Sequence, residues 1–567
     1  GLYAAEQVYE QIQQANLTLI FVNTRAQAEL VFNELWRINE ANLPIGLHHG
    51  SLDLQQRLKV EAAMASGVLR AVVATSSLDL GIDWGDIDLV IQLGAPKGAA
   101  RLIQRIGRSK HRLNEPSRAI LAPANRFELL ECQAAKDAIL ENTLDGEPPY
   151  PGTLDILAQH IWGVAAAGAF HPDQLFEQVQ SAAPFSNLSR KDFDDTLAFV
   201  AHGGYALRAY ERYRRLTELK DGRYKIASPA HIKSYRMNVG VIVEAPMLRV
   251  KQGMKPIGEL EENFGAQLKA GDTFMFGGQV LEFIEIRDTD MFVKKSNKTH
   301  STLVAVYGGA RMPLTTHLSD RVRGMMADQN RWQDFPPDVR EWLEIQHERS
   351  TMPSSDMLLI ETFPRGGREY IVAYTFEGRN AHQTLGMLLT RRLERAGCGP
   401  LGFVGSDYAI CCWSLKEHPD LEQLFDQEML GDDLEEWMQE TSLMKRTFRT
   451  CAVIGGLIEK SYPGERRSRR QVTFNNDIIF DVLRQHEPDH VLLRATRAEA
   501  ARGLCDIRRL SDMLGRFAGK IEHRRLDRVS PLAVPIMLEV GREAVYGAAE
   551  DMMLDEASSD LISEAMR

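Results

Sequence analysis

The 567-residue sequence has few cysteines and no long hydrophobic run. Its six cysteines are scattered, and none forms a Cys-x-x-Cys pair. This spacing excludes a disulfide-stapled secreted domain and is not typical of a zinc site, so we expect reduced thiols and no metal. The longest apolar stretch near the N terminus, residues 17–22, has six residues, whereas a bilayer span needs about 20. The sequence therefore predicts a cytoplasmic protein without a signal peptide or a membrane span.

An excess of positive charge is also absent. The chain carries 67 Lys and Arg against 78 Asp and Glu, a net charge of −11. This balance excludes a small, uniformly basic nucleic-acid binder. It leaves room for a large enzyme with local basic grooves, because contacts to phosphates are local. The length exceeds what one hydrophobic core supports, and we expect about two to four domains.

Residues 1–148 alternate strand-like and helix-like segments, which predicts a parallel sheet covered on both faces. Thr24 is placed to cap the first helix of this region, and Gln27 to complete a capping box. In such sheets, functional groups gather in the loops that leave the carboxyl ends of the strands. The apolar strand segments are residues 17–22, 45–50, 69–76, 87–94 and 118–124.

The rest of the chain divides into three regions, and the overall prediction is a multidomain α/β protein. A proline-rich break at 148–152 marks the start of the region 149–235, where three helices and a hairpin predict a winged helix. Ser189, with Asp192 three residues later, is placed to cap the third helix. Asp221-Gly222 in that hairpin suits a type I′ turn.

Residues 236–328 contain strand-like segments with glycine-rich turns, typical of a small β-barrel. These segments are residues 239–250, 272–286, 291–297 and 301–309. Residues 329–567 are mixed and predict an α+β C-terminal domain, with a strand pair that turns at Arg365-Gly366-Gly367.

A basic run, QRIGRSKHR at 104–112, follows the fourth strand segment. In a helix, Gln104, Arg105 and Arg108 are three or four residues apart and share one face. Two guanidinium groups on one face are suited to a compact anion such as a γ-phosphate. A solvated arginine face explains the same pattern equally well, so the run alone leaves both interpretations open.

The order of motifs resembles a known family. LIFVNTR (19–25), HHGSL (48–52), residues 74–92 and QRIGRSKHR are together similar to the second RecA-like domain of superfamily 2 helicases. A winged helix, a β-barrel ending in VYGGARMPLTTHLSDRVR (306–323) and a mixed C-terminal domain resemble the large helicase-related (Lhr) family. Within that family, the resemblance points to the bacterial ligase-associated DEXH-box DNA helicase branch.

The resemblance implies roles for particular residues and ligands. Arg105 and Arg108 match arginines that reach the γ-phosphate of ATP, with Gln104 beside them, and ATP and Mg²⁺ are the implied cofactors. Gly81 and Asp83 match the nucleotide side of the motif that contains them. Tyr307 is our candidate for an aromatic side chain that stacks on a base. The matched contacts to the nucleic-acid backbone are Thr24, Arg25, Gly50, Ser51 and Thr75.

Two features depart from the family pattern. Lys110 stands where many relatives have glycine, which leaves His111 and Arg112 without an assigned role. Neither GxxxxGK[ST] nor DExH or DExD occurs in the sequence. We therefore expect that a first RecA-like domain, which would hold most of the ATP and Mg²⁺ contacts, is missing, and that this chain alone is inactive as an ATPase.

The first functional hypothesis is the C-terminal motor half and DNA-guiding part of an ATP-dependent 3′-to-5′ DNA helicase that acts in repair. Its expected partners are single-stranded or tailed DNA and repair proteins such as a DNA ligase or a nuclease. The alternative is a module without ATPase activity that binds nucleic acid, or that acts on RNA or RNA–DNA hybrids. The sequence does not separate DNA from RNA, because backbone contacts read phosphates rather than the 2′-hydroxyl.

Overall fold

The structure of the chain is a computed structural model. It forms two compact units: unit 1 comprises Gly1–Gly146, Pro246–Phe425 and Met513–Arg567, and unit 2 comprises Glu147–Ala245 and Asp426–Asp512. The domain bounds proposed from the sequence stay predictions. The residues described are 4–79, 87–109, 115–146, 150–204, 211–243, 247–261, 268, 270–276, 279–287, 290–296, 314–418, 420–431, 434, 442–458, 469–502, 506–542, 561 and 564–565.

Unit 1 begins with a parallel five-stranded sheet in the order β2-β3-β1-β4-β5. Each strand falls within a segment that the sequence predicted, so the α/β fold class is confirmed. The strands are β1 Thr18–Phe21, β2 Ile45–His48, β3 Ala71–Ala74, β4 Leu89–Leu93 and β5 Ala119–Ala122. The helices are α1 Ala5–Gln14, α2 Arg25–Arg37, α3 Leu54–Ala65, α4 Ala99–Ile106 and α5 Arg126–Leu140.

Both faces of this sheet are buried. Along β1, Ile20 packs into one apolar cluster, whereas Leu19 and Phe21 pack into another on the opposite face, because side chains alternate along a strand. At the end of β1, Thr24 accepts from the amide of Gln27 at 3.1 Å, and the Gln27 side chain accepts from the Thr24 amide at 3.1 Å. The predicted capping box is therefore confirmed, and it fixes where the chain turns into α2.

The first segment of unit 2 contains three helices, a two-stranded hairpin and a further helix. Ser189 caps the third of these helices by accepting from the amide of Asp192 at 3.0 Å, as predicted. These elements are α6 Leu154–Ala167, α7 Pro172–Gln180, α8 Arg190–His202, β6 Leu216–Glu218, β7 Tyr224–Ile226 and α9 Pro229–Asn238.

The hairpin of unit 2 is present, but its predicted turn type is wrong. A type I′ turn needs positive φ at both central residues, and only Gly222 has it, at φ 80°. The Gly222 amide instead donates to the carbonyl of Leu219 at 3.0 Å, and the Leu219 amide donates to the carbonyl of Arg223 at 2.7 Å. The turn is therefore the longer kind that ends in a left-handed glycine.

The second sheet of unit 1 has the order β10-β11-β12-β8-β9, in which only the β12–β8 pair is parallel. Strands form within the segments predicted at 272–286 and 291–297. The segment predicted at 239–250 forms a strand only from Met247, and its residues 239–243 form none; residues 301–309 lie outside the described residues. The strands are β8 Met247–Gln252, β9 Lys255–Glu261, β10 Thr273–Phe276, β11 Gln279–Arg287 and β12 Asp290–Lys295.

The third sheet, also in unit 1, has the order β15-β16-β14-β13-β17. Gly366 and Gly367 both have positive φ, 58° and 73°, and form the tight turn between its first two strands, as predicted. The strands are β13 Leu358–Arg365, β14 Arg368–Ala373, β15 Pro400–Gly405, β16 Ile410–Ser414 and β17 Ile521–Arg525. The remaining helices are α10 Thr316–Ala327, α11 Pro337–Arg349, α12 Gly378–Arg395, α13 Leu421–Leu424, α14 Ser442–Ile454, α15 Arg469–His486, α16 Val491–Arg502, α17 Ile507–Phe517 and α18 Val534–Arg542.

Each unit has an apolar core that contains side chains from segments distant along the chain. In unit 1, Leu102 of α4 and Phe127 of α5 belong to the same core as the third sheet, and the Phe127 ring stacks on Tyr408 at 4.2 Å. In unit 2, Phe448 of α14 and Leu492 of α16 join the core of α6 and α8. Helix α4, which contains Arg105, therefore shares an apolar core with the third sheet. Among the described helices, none is long and apolar enough to cross a bilayer.

Candidate nucleotide and nucleic-acid site

The predicted backbone-contacting residues meet at one edge of the parallel sheet. Thr24 and Arg25 follow β1, Gly50 and Ser51 follow β2, and Thr75 follows β3. These strands are neighbours in the order β2-β3-β1, and the carboxyl ends of parallel strands lie on the same side. The structure therefore brings all five residues to adjacent loops.

Within this edge, Arg25 and Ser51 are in direct contact. The Arg25 Nη1 donates to Ser51 Oγ at 2.8 Å, and a Cβ on Gly50 would lie 3.7 Å from the Arg25 guanidinium. Ser51 and Thr75 are buried, whereas Gly50 is exposed. The edge thus presents an exposed backbone at Gly50 beside a positioned guanidinium, a combination suited to a phosphate.

The loop after β2 is fixed from both sides. His49 Nε2 lies 2.9 Å from Glu29 Oε1, and both side chains are fully buried. On the other side, the Ser51 carbonyl accepts from the Glu259 amide of β9 at 2.9 Å. A Cβ at Gly258, whose φ is 156°, would lie only 2.5 Å from that carbonyl. Neither Glu29 nor Gly258 was selected from the sequence, because each acts on a loop that is distant along the chain.

Arg105 occupies a buried position beneath this edge. It is 1% exposed and lies 4.7 Å above the Phe21 ring. Its Nε donates to Asp79 Oδ1 at 2.8 Å, and its Nη1 donates to Gln92 Oε1 at 2.5 Å. The charge of Arg105 is thus neutralised inside the protein by an acid whose side chain is 7% exposed.

Gln104, Arg105 and Arg108 do not share one helical face, and that prediction is wrong. Helix α4 ends at Ile106, and Gly107 is its C-terminal cap, so Arg108 lies in the turn that follows. Gln104 is exposed and Arg105 is buried, because adjacent helical positions differ by about 100°. Arg108 is half-buried, and its Nη2 donates to the Asp79 carbonyl at 2.8 Å. The two arginines therefore converge on Asp79, and Gln104 does not.

Several predicted site residues lie outside the described residues: Gly81, Asp83, Tyr307 and the unassigned Lys110, His111 and Arg112. The structure adds Asp79 and Gln92, which sequence reasoning did not select. A signal for Gln92 exists in the sequence, since a polar residue within an otherwise apolar buried strand needs a partner. Asp79 carries no comparable signal, because its partner stands 26 residues later in α4.

A second buried cation links the sheet domain to the third sheet. Lys97, in the loop between β4 and α4, lies 3.0 Å from Glu131 of α5 and 2.9 Å from Asp407, which precedes β16. Burial raises the pKa of Glu131 to about 8, although Lys97 opposes this, and the shared Lys97 charge lowers the pKa of Asp407 despite its burial. Within the described parts of the chain, no cluster of His, Cys, Asp or Glu is placed to hold a metal ion.

Three family models match successive parts of the chain. Residues 3–112 match the helicase conserved C-terminal domain, residues 137–303 the winged helix domain of large helicase-related protein, and residues 352–533 the DEAD/H associated domain. Over most of its length, the chain is similar to the large helicase-related (Lhr) family of superfamily 2 helicases. The expected Lhr resemblance is thus confirmed, while its assignment to the ligase-associated branch stays a prediction.

Individual Lhr proteins resemble the chain over most of its length. It is 28% identical to the ATP-dependent helicase Lhr-Core of Methanocaldococcus jannaschii over 96% of this chain and 66% of the relative. It is 30% identical to Lhr-Core protein 2 of Thermococcus barophilus over 88% of this chain and 60% of the relative. The structure of Mycobacterium smegmatis helicase Lhr bound to ssDNA and AMP-PNP matches with a TM-score of 0.70 and 25% identity, covering 94% of this chain and 68% of the other. The chain thus spans about two thirds of these Lhr proteins.

Proposed function

We propose that this chain is the C-terminal motor half and nucleic-acid-guiding part of an ATP-dependent 3′-to-5′ DNA helicase that acts in DNA repair in the cytoplasm. The observation that carries the proposal is the convergence of Arg105 and Arg108 on Asp79 beside the Arg25–Ser51 contact. One sheet domain thus provides both positioned arginines and a sheet edge that is suited to bind phosphate. DNA is the preferred substrate, since the Mycobacterium smegmatis relative was solved with ssDNA.

Arg108 is the residue to which we assign contact with the γ-phosphate. It lies after the end of α4, is half-buried, and its Nη2 donates to the Asp79 carbonyl at 2.8 Å. A guanidinium carries five N–H donors in a planar arrangement that matches phosphate oxygens, so it can hold a backbone carbonyl and a phosphate together. Arginines in this role stabilise the charge that develops during phosphoryl transfer.

Arg105 acts on Arg108 through Asp79 and is a positioning residue. Its ion pair fixes the Asp79 side chain, and the carbonyl of the same residue holds Arg108. Since Arg105 is 1% exposed, we assign it no direct contact with the phosphate. Gln104, which is exposed, remains available for contact with the nucleotide or with a neighbouring domain.

ATP with Mg²⁺, when bound, supplies the phosphoanhydride whose hydrolysis drives movement along the strand. The residues around Asp79 fit the γ-phosphate end of this ligand, because guanidinium groups converge there at the edge of the sheet. The sequence contains no GxxxxGK[ST] motif for the remaining phosphates. We therefore assign most of the ATP and Mg²⁺ contacts to a first RecA-like domain.

The ATPase of the full-length gene product tests the assignment of Arg108. Arg108→Ala should lower DNA-stimulated kcat by at least about 100-fold, because loss of an arginine of this kind typically costs about 10³ or more. Arg37→Ala, at an exposed arginine paired with Glu34 in the same sheet domain, is the matched control and should leave kcat unchanged. Normal turnover in Arg108→Ala would overturn the assignment. The present polypeptide alone should hydrolyse no ATP above background.

Strand choice and polarity need a separate measurement. Single-stranded DNA, RNA and hybrid tails of equal length should be compared for affinity at several salt concentrations, and unwinding should be measured with 3′ and 5′ tails. We expect preference for DNA and activity only with a 3′ tail. A strong preference for RNA would favour the alternative of an RNA or hybrid enzyme. Association with a DNA ligase or a nuclease remains part of the proposal.

A further inference from the structure

Helix α8 holds the position of a recognition helix in the winged helix. It is the third of three helices and precedes the hairpin. In helix-turn-helix proteins, the second helix of the motif enters the major groove, and its exposed polar side chains contact base edges. A winged helix that reads DNA in this way needs an open and preferably basic surface on that helix.

The surface of α8 is neither open nor basic. Phe193, Phe199 and Val200 are buried in a core that includes the later helices α14 and α16. Arg494 of α16 forms ion pairs with Asp192 and, at 3.1 Å, with Asp195. Helix α8 is thus already covered by α14 and α16 of the same unit.

The cations of α8 are paired as well. Arg190 lies 2.6 Å from Asp173 and 2.9 Å from Asp194, and Lys191 lies 2.8 Å from Asp195. Residues 172–202 carry five Asp and Glu against two Lys and Arg, a net charge of −3. Such a surface repels a phosphate backbone rather than attracting it.

The hairpin and α9 have the opposite character. Residues 211–238 carry eight Lys and Arg against three Asp and Glu, a net charge of +5 in a chain of net charge −11. Four of these cations are exposed and, within the described part of the chain, take part in no ion pair: Lys220, Lys225, Lys233 and Arg236. Lys233 and Arg236 are three residues apart on α9, so they lie on one side of that helix. We call these four residues the wing cations.

We propose that the winged helix binds the phosphate backbone of nucleic acid through the wing cations, and that α8 reads no bases. The inference rests on the proposed nucleic-acid function and assigns it a surface. Contacts of this kind fix position without reading sequence. Binding through this surface is therefore independent of base sequence and weakens as the salt concentration rises.

Two charge-matched double variants of the chain test the surface. Lys225→Gln with Lys233→Gln removes two wing cations, and Arg190→Gln with Lys191→Gln removes two cations from α8. Each is titrated with a fluorescein-labelled single strand of mixed sequence over a range of salt concentrations. The wing pair should weaken binding at least about 3-fold and lower the salt slope by about 1.4, whereas the α8 pair should change neither. Adding Lys220→Gln and Arg236→Gln should increase the loss to at least about tenfold.

The outcomes separate the inference from the proposed function. If the unaltered chain binds no nucleic acid, the proposed function fails. If it binds and the wing variants bind equally well, or if the α8 variant loses as much affinity, the wing inference alone is overturned. Affinity that depends on base sequence and is lost only with the α8 changes would overturn it too. Unchanged circular dichroism and thermal unfolding in every variant establish that the losses do not arise from misfolding.

Discussion

Arg105 and the wing cations differ in burial and in ion pairing. Arg105 in unit 1 is 1% exposed and fixed by Asp79 and Gln92. Lys225 and Lys233 in unit 2 are exposed on the hairpin and on α9. A buried, paired charge orders its surroundings and is little affected by salt, whereas exposed charges attract phosphates and are screened. Two stretches that are both rich in Arg and Lys therefore have different roles, and the burial of their side chains distinguishes these roles.

Removing the buried cation should give the largest effect on stability. Arg105→Ala removes the 2.8 Å partner of the buried Asp79 carboxylate and leaves it the longer contact of 3.7 Å to Arg101. Breaking such a buried pair costs about 3–5 kcal/mol. We expect loss of hydrogen-exchange protection in β1, β3 and β4, the strands that surround the pair, measured by mass spectrometry so that unit 1 is resolved from unit 2.

Arg108→Ala is the control for this loss, because Arg108 is half-buried whereas Arg105 is 1% exposed. It should change the stability of unit 1 by no more than about 1 kcal/mol. Equal loss of protection in the two variants would remove the distinction between a positioning arginine and a phosphate-contacting one.

The Lys97 cluster should give a smaller effect that depends on pH. Because the pKa of Glu131 is raised from 4.5 to about 8, the folded protein retains a proton that the unfolded chain releases. The stability from this group is present below about pH 4.5 and is lost as pH rises through about 8. We expect the free energy of urea unfolding of unit 1 to fall across this window by at most about 1.4 kcal/mol per pH unit.

Glu131→Gln should flatten this pH dependence, because glutamine does not titrate. The control is Glu40→Gln, at an exposed glutamate in the same unit, which should retain the slope. A slope that persists in Glu131→Gln would show that another group carries it.

The ion pairs between Arg494 and α8 are partly exposed, and their removal should give the smallest effect on stability. Arg494 is 26% exposed, and its partners Asp192 and Asp195 are 29% and 38% exposed, so solvent screens both pairs. Arg494→Ala should destabilise unit 2 by about 0.5–1 kcal/mol, measured by hydrogen exchange of α8 and α16. Arg497→Ala, at an exposed residue of the same helix, should have less effect. A loss above about 2 kcal/mol would place Arg494 with the buried cations.

The elements that sequence predicted correctly have local signals. The strands of the first sheet are continuous apolar runs, and the caps at Thr24 and Ser189 depend on residues three positions away. The Arg365–Arg368 hairpin depends on two consecutive glycines. In each case, the residues that determine the structure lie within a short window, so one sequence suffices to find them.

The site required information from distant residues. The burial of Arg105 depends on Asp79 after β3 and on Gln92 within β4, and no local pattern joins these three positions. The basic run suggested a longer helix, but the chain turns at Gly107. The covering of α8 by Arg494 involves residues about 300 positions apart. Sequence therefore placed the candidate residues at the correct edge and did not determine which of them are buried.

Unit 2 is assembled from two segments separated by about 180 residues of unit 1. During synthesis at about 5–20 residues per second, roughly 10–40 s pass between completion of the first segment and appearance of the second. Throughout that interval, Phe199 and Val200 of α8 lack the apolar side chains of α14 and α16 that later cover them. During this interval, the nascent winged helix exposes an apolar surface that a chaperone would bind. A faster rate of elongation would shorten the interval.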